Sequence, residues 1–299
     1  MKRLFAIVLP LGLLFAYYIS TQTEGWASSE RPVQLQARAA IMLDADTGRV
    51  LYEFNADTAL PPASMSKMMT ELLLLEDVRK GKAKWDEPVK TSRYAADVTG
   101  SQAGFKSGDT LTLRQMFQAI AIQSANDAAV AVAEHLAGSE SAFVDRMNRK
   151  VKELGLSSRA YFANASGLPL ADLGSYAPKN AHKETLLTSR DTALLARALI
   201  QQYPEALSVT RQSEVVLPAS KIKLTTTNEL LDGQPFAYPG VDGFKTGFTD
   251  AAGYCFTGTA ERGGKRLITV VMGTETPEAR FTETAKLLDY GFRIVGKVK

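Results

Sequence analysis

Histidine and cysteine are the scarce residues here, and their scarcity counts against whole classes of chemistry. The 299-residue chain has two histidines and one cysteine. His135 and His182 stand far apart with no metal-ligand spacing, whereas a zinc hydrolase draws on two or three imidazoles. A Ser-His-Asp hydrolase needs one imidazole as base. His135, however, closes a helix in Ala133-Glu134-His135-Leu136-Ala137-Gly138, where a cation is favoured without any catalytic role. His182 falls in a polar loop. A hydrolase built on this chain would take its base from another residue type. The lone Cys255 cannot close an internal disulfide, so stability must come from packing. There is no basic block either. Net charge is +3, of which Lys2 and Arg3 against Glu24 supply +1, leaving +2. No nucleic-acid partner is expected.

What is present reads as an ordinary globular domain, 45% hydrophobic and 22% charged, long enough for one large core or two intimate subdomains. Residues 1–27 read as a secretory leader. Lys2 and Arg3 form its basic start, Leu4 to Ile19 its apolar run, and Gly25-Trp26-Ala27 a small-x-small cleavage site. The alternative is an uncleaved N-terminal anchor, although the apolar run is short for a span. Either way the domain is expected outside the cytoplasm. Residues 28–36 read as a linker.

The stretch from Pro61 to Thr70 carries the chemistry. Ser64 and Lys67 are three apart at the start of an apolar helical run (Met68, Leu72, Leu75), so hydroxyl and amine share a helix face. The upstream prolines suit helix entry. Ser64 would lie in the first turn, where free N–H groups and the dipole favour developing negative charge. A serine and a lysine so placed are candidate nucleophile and base. The bare pattern is cheap, as Ser220-Lys221-Ile222-Lys223 demonstrates. That copy lies in a polar/apolar alternation that predicts a strand, where positions three apart face opposite ways.

Around it, Ala40–Asp44 and Arg49–Phe54 predict a hairpin, with Val50, Tyr52 and Phe54 as one buried face. The nucleophile helix should run from Ser64 to Lys80 and stop at Gly81. Residues 82–110 read as loops or short strands. Helical periodicity marks Leu113 to Ile120, Asp127 to Leu136, Phe143 to Leu154, and about Arg190 to Gln202. Residues 161–190 read as a long, functional or disordered loop. Strand-like stretches fall at 213–217 and 221–227. Three further strands, 243–249, 253–260 and 265–273, precede a helix striped by Phe281, Ala285, Leu288 and Phe292. The order strands, helices, strands predicts an α+β fold. In it the first hairpin and the last three strands make one antiparallel sheet over 37–57 and about 205–295. A helical subdomain occupies about 58–204, with the active site at the seam.

Two more motifs turn the serine pattern into a constellation. Ser124-Ala125-Asn126 breaks two helices, and Lys245-Thr246-Gly247 opens a late strand, each occurring once. Taken singly, the first is a capped helix break and the second an edge-strand start. Together and in this order they resemble the signature set of serine-lysine penicillin-binding D-alanyl-D-alanine carboxypeptidases, related to class A β-lactamases. Ala40 to Asp57, Pro62 to Thr70, Val241 to Thr249 and Ala252 to Cys255 are also similar to that family, and the likeness covers about 36–295.

The resemblance implies a β-lactamase/transpeptidase-like fold and no cofactor or metal. It implies that Ser64 attacks the bond between two D-alanines of a peptidoglycan stem peptide, with Lys67 as its base. Free lysine titrates near 10.4, so Lys67 would need burial beside another cation, Lys245, to be neutral at pH 7. Ser124 would relay a proton to the leaving amine, and Asn126 would orient the substrate amide. Backbone N–H groups of Ser64 and Phe248 would form the oxyanion hole. The strand at 245–249 would take the peptide as an added strand, with Gly247 permitting close approach. Lys245, Thr246 and Arg280 are candidates for holding the C-terminal carboxylate, the last alternatively a surface charge. β-Lactams are the implied covalent inhibitors.

Members of this family usually continue into a β-rich domain and an anchoring helix. Residues 296–299 are therefore expected to begin a missing C-terminal region, and membrane attachment would need that anchor or an uncleaved leader. Two other readings remain. A class A-like β-lactamase would use Glu184 in Glu184-Thr185-Leu186-Leu187-Thr188 to activate water, although it lies 60 residues after Ser124. The other is a non-catalytic cell-wall-binding domain.

Overall fold

Strands from the two ends of the chain, separated by almost two hundred residues, make a single sheet. The computed structural model describes residues 33–177, 183–218 and 220–296. The predicted leader, most of the linker, His182 and residues 297–299 lie outside them. β1 (Ala39–Asp44) and β2 (Val50–Phe54) form the first hairpin. β7 (Val241–Thr249), β8 (Gly253–Arg262) and β9 (Lys265–Thr274) complete a five-stranded antiparallel sheet in the order β2-β1-β9-β8-β7.

β1 is buried at every position because both sheet faces are covered. Ile41 and Leu43 join Ile268 and Val270 in the main core. On the other face Met42 meets the last helix, α8 (Ala279–Gly296), at Gly291. There a Cβ would lie 2.4 Å from Met42 Sδ, so any larger residue would have to push the buried Met42 and Leu267 side chains aside. A strand covered on both sides loses its polar alternation, and Leu267–Met272, apolar but for Thr269, is buried throughout for the same reason. β2 departs from expectation. As the outer strand it has no buried face, and Val50 and Phe54 are 38% and 41% exposed. On α8, Phe281 and Leu288 are buried as expected, but Thr284, Leu287 and Gly291 complete the stripe in place of Ala285 and Phe292.

The helical layer is built on α1 (Lys67–Arg79), which a 3-10 turn, Ala63–Ser66, leads into and Lys80 and left-handed Gly81 end. Against it pack α3 (Leu113–Gln123), α4 (Asn126–Ala137) and α5 (Glu140–Glu153). Thr112 and Gln115 form a capping box at the start of α3, each side chain meeting the other's backbone N–H. α6 (Ser189–Gln202) starts from the same device, Thr188 with Asp191. It packs on β1 and β9 as well as on α1, so it belongs to the sheet as much as to the helices.

The smaller elements were harder to read. α2 (Arg93–Asp97), capped by Ser92, lies within the region expected to be loop or strand. It is too short for a periodic signal. β3 (Pro88–Lys90) pairs with β4 (Thr110–Thr112), and a 3-10 segment, Leu170–Tyr176, falls in the long loop. α7 (Glu205–Thr210) packs on β7. β5 (Glu214–Val216) pairs with β6 (Lys223–Thr225). The second Ser-x-x-Lys lies here: Lys221 sits in a turn at φ +56°, and Lys223 pairs with Glu214 at 2.6 Å.

Candidate active site

Three chain segments converge where the 3-10 turn meets the β7 edge. Gly247 makes the approach: a Cβ there would fall 2.6 Å from the Pro62 carbonyl oxygen and 3.3 Å from Ala63 Cβ. Ser64 stands on that turn, part-buried, and the fully buried Lys67 Nζ donates to Ser64 Oγ at 2.8 Å. The same nitrogen donates to the Ser166 carbonyl, also at 2.8 Å. Two acceptors therefore fix the Lys67 head group.

Ser166 belongs to the 161–190 stretch expected to be a functional or disordered loop, although Ser166 itself was not singled out. Asn164 Oδ1 accepts from the backbone N–H of Ser166 and Gly167, curling the loop tightly. Gly167, at φ +80°, lies against the nucleophile turn, where a Cβ would be 2.1 Å from Ser66 Oγ and 2.2 Å from the Ala63 carbonyl oxygen. Thr70 Oγ1 donates to the Ala165 carbonyl, and Glu140 accepts from the Ala165 N–H. The sequence signal for this loop was an Asn-x-Ser-Gly turn inside a long irregular stretch; its functional atom is a backbone oxygen.

From the helical side, Ser124 closes α3 in the left-handed region, φ +63°. This costly conformation for serine points to a local constraint. It receives a 2.6 Å hydrogen bond from Lys245 Nζ on β7. Asn126, at the start of α4, donates through Nδ2 to the Thr99 carbonyl at 2.6 Å, while its buried Oδ1 has no partner among the described residues. Thr246 Oγ1 shares a 2.6 Å hydrogen bond with Thr227 Oγ1, a residue the sequence reading did not single out. Phe248 is 47% exposed and stacks on Tyr254 with ring centroids 4.3 Å apart.

Arg280 is half-buried at the start of α8, not a fully exposed surface charge. Its guanidinium lies 4.7 Å from the Phe281 ring centroid and 5.6 Å from that of Tyr254. Its Nε is buried without a partner among the described residues. Burial holds its pKa below the usual range.

The electrostatics follow from burying two lysines in one site, where the charge of Lys245 acts on Lys67. Burial, and then the Lys245 charge, hold Lys67 well below the ordinary lysine value, while Glu71 and Asp127 act in the opposite direction. Burial also lowers Lys245, opposed by Glu71 and reinforced by Arg280. A neutral amine in contact with a serine hydroxyl can accept its proton. Glu71, one turn beyond Lys67, was not a sequence candidate. It is fully buried, and burial raises its pKa against the pull of Lys245 and Lys67. Glu184, the residue a lactamase reading would use, accepts from the Leu170 N–H at 3.1 and 3.2 Å, and no hydrogen bond joins it to Ser64 or Lys67.

An antiparallel sheet with helices on both faces, joined to a helical layer with a lysine-bonded serine at the seam, is the architecture of a serine-type hydrolase of the penicillin-binding class. The D-alanyl-D-alanine carboxypeptidase family matches residues 26–276, and the chain belongs to that family. It is 39% identical to D-alanyl-D-alanine carboxypeptidase DacF of Bacillus subtilis, over 98% of this chain and 71% of the relative. It is 36% identical to DacC of Escherichia coli, over 87% of this chain and 62% of that protein's length. Among solved structures, penicillin-binding protein D2 from Listeria monocytogenes in its ampicillin-bound form superposes with a TM-score of 0.74 at 39% identity. That match covers 88% of this chain and all of that one.

Proposed function

We propose that this protein removes the terminal D-alanine from peptidoglycan pentapeptide stems through an acyl-enzyme on Ser64, limiting the cross-links those stems can form. The observation that carries the reading is the pair of contacts Lys67–Ser64 at 2.8 Å and Lys245–Ser124 at 2.6 Å, brought together where Gly247 of β7 abuts the nucleophile turn. As Ser64 Oγ bonds to the scissile carbonyl carbon, its proton passes to Lys67. When the C–N bond breaks, the departing D-alanine amine takes a proton by way of Ser124. Water then hydrolyses the ester.

The N–H groups of Ser64 and Phe248 serve the carbonyl oxygen as it gains charge. Losing one such donor typically costs about 3 kcal/mol. The substrate backbone adds to β7, the Asn126 Oδ1 accepts from its amide, and Lys245, Thr246 and Arg280 hold the terminal carboxylate. β-Lactams acylate the same serine. Residues 37–295 act as the catalytic domain outside the cytoplasm, with residues 1–27 as the export signal.

Incubation with a pentapeptide ending in D-Ala-D-Ala tests the reading: free D-alanine is expected from the wild-type protein and none from Ser64→Ala. A penicillin adduct that turns over rapidly without D-alanine release would favour a lactamase. No adduct and no release would favour a wall-binding domain.

A further inference from the structure

We propose that Glu71 is a positioning residue that acts through Lys67, supplying the buried negative charge that balances the ammonium formed when Lys67 takes the Ser64 proton. The inference rests on the reading of Lys67 as base. Glu71 follows Lys67 by four positions on α1, so the two share a helix face. It is wholly buried, and among the buried acids described it alone has both carboxylate oxygens without a hydrogen-bond partner. The next four positions of the helix, Leu72 to Leu75, show what this core otherwise accepts. A carboxylate left without donors in such a place is costly unless nearby cations need it.

The charges bearing on Glu71 are those of Lys245 from β7 and Lys67. Most other ionisable groups on elements packed against α1 are engaged elsewhere; the exception on α4 is Glu134, whose Oε2 is buried without a partner among the described residues and whose charge bears on Tyr94 and Glu140. On α4, Asp127 accepts from the N–H groups of Ala103, Gly104 and Phe105, and His135 meets Glu87. On α5, Glu140 is held by Tyr94 and Ala165, while Arg146 and Lys150 pair with Asp77 and Glu76. On α6, Asp191 is taken by Ser157 and Thr188, Arg190 by Asp57, and Arg197 by the Ala45 carbonyl. On α3, Arg114 lies over Trp85. Arg280 on α8 acts through Lys245.

With Lys67 neutral, Lys245 protonated and Glu71 ionised, the resting cluster carries no net charge. Acylation breaks the Ser64 O–H bond and makes an N–H bond on Lys67, placing a second ammonium beside Lys245. Of the two acids whose charge acts on Lys67, Asp127 is already held by three backbone N–H groups, and Glu71 alone has no hydrogen-bond donor among the described residues.

The test is the second-order rate of labelling by a fluorescent penicillin, followed against pH, for wild type, Glu71→Gln and Glu71→Asp. Removing the charge lowers the proton affinity of Lys67 and weakens it as a base. The acid limb of the Glu71→Gln profile should therefore move down by about one pH unit, and its plateau should fall about tenfold. Glu71→Asp, which keeps the charge, should retain a limb near that of wild type. A Glu71→Gln profile superimposable on wild type would overturn the inference. Absence of labelling in wild type would remove the reading of Ser64 and Lys67, and the inference with it. If Glu71→Gln does not fold, carbon NMR decides. The glutamate carboxyl signal lost in Glu71→Asp should be ionised at about pH 8, and a protonated signal there overturns the inference.

Discussion

Lys245 Nζ donates to Ser124 Oγ over 2.6 Å, joining two residues 121 positions apart. This bond ties the edge strand of the sheet to the break between two helices of the other layer. Because Lys245 is 1% exposed, its charge is little screened and falls on Lys67. The link clamps the two layers together, and the Lys245 charge it holds in place is, after burial, a cause of the depressed Lys67 pKa.

Replacing Lys245 with methionine removes that charge from beside Lys67. The Lys67 pKa should rise, and the acid limb of penicillin acylation should move to higher pH, opposite in sign to the Glu71→Gln shift. Labelling rate against pH measures it, and an unmoved limb would show that the two lysines do not interact.

Lys67 also makes stability depend on pH. Its pKa is lowered well below 10.5 in the folded protein, so the unfolded chain binds the extra proton. Stability from this group is present above the unfolded value and is lost as pH falls toward the folded one. Relative to Lys67→Met, wild type should gain up to about 1.4 kcal/mol per unit as pH rises from about 8 to 10. Urea unfolding at several pH values reads the difference, and a constant offset between the proteins would contradict it.

Gly167→Ala should disturb the nucleophile turn without touching a candidate catalytic side chain. Its φ is +80°, and a Cβ would collide with Ser66 Oγ and the Ala63 carbonyl. A loss of about 1–3 kcal/mol is expected, with slower acylation at equal folded concentration. Denaturant melts and labelling rates check both parts.

Arg280→Gln should discriminate between substrates. If its guanidinium holds the terminal carboxylate, kcat/KM for a free-acid peptide should fall about 10- to 100-fold, while the poor rate on the amidated peptide changes little. Equal losses on both peptides would assign Arg280 a structural role.

Much of this site was visible before any coordinates, and the reason is local. Ser64 with Lys67, Ser124 with Asn126, and Lys245 with Thr246 are each written within a few residues, the first pair on a helical turn, the second at a break between helices and the third on a strand. The five-stranded sheet followed from the order of elements. What escaped depended on tertiary surroundings. Lys67 and Glu71 at a spacing of four look like any exposed helical ion pair, and only packing reveals that Glu71 is buried. The Ser166 oxygen that holds Lys67 is backbone, so its side-chain identity carried no signal. The alternation in β2 suggested a buried face, but this outer strand is covered only in part, with Tyr52 edge-on to Tyr290 while Val50 and Phe54 stay exposed.

The most direct test of the account is the rate at which penicillin acylates Ser64 in Lys67→Ala, measured on protein shown to be folded. Loss of the base should slow acylation by about a hundredfold or more, with Ser64 still present to label. A rate near that of wild type would contradict the assignment of Lys67 as the group that takes the serine proton.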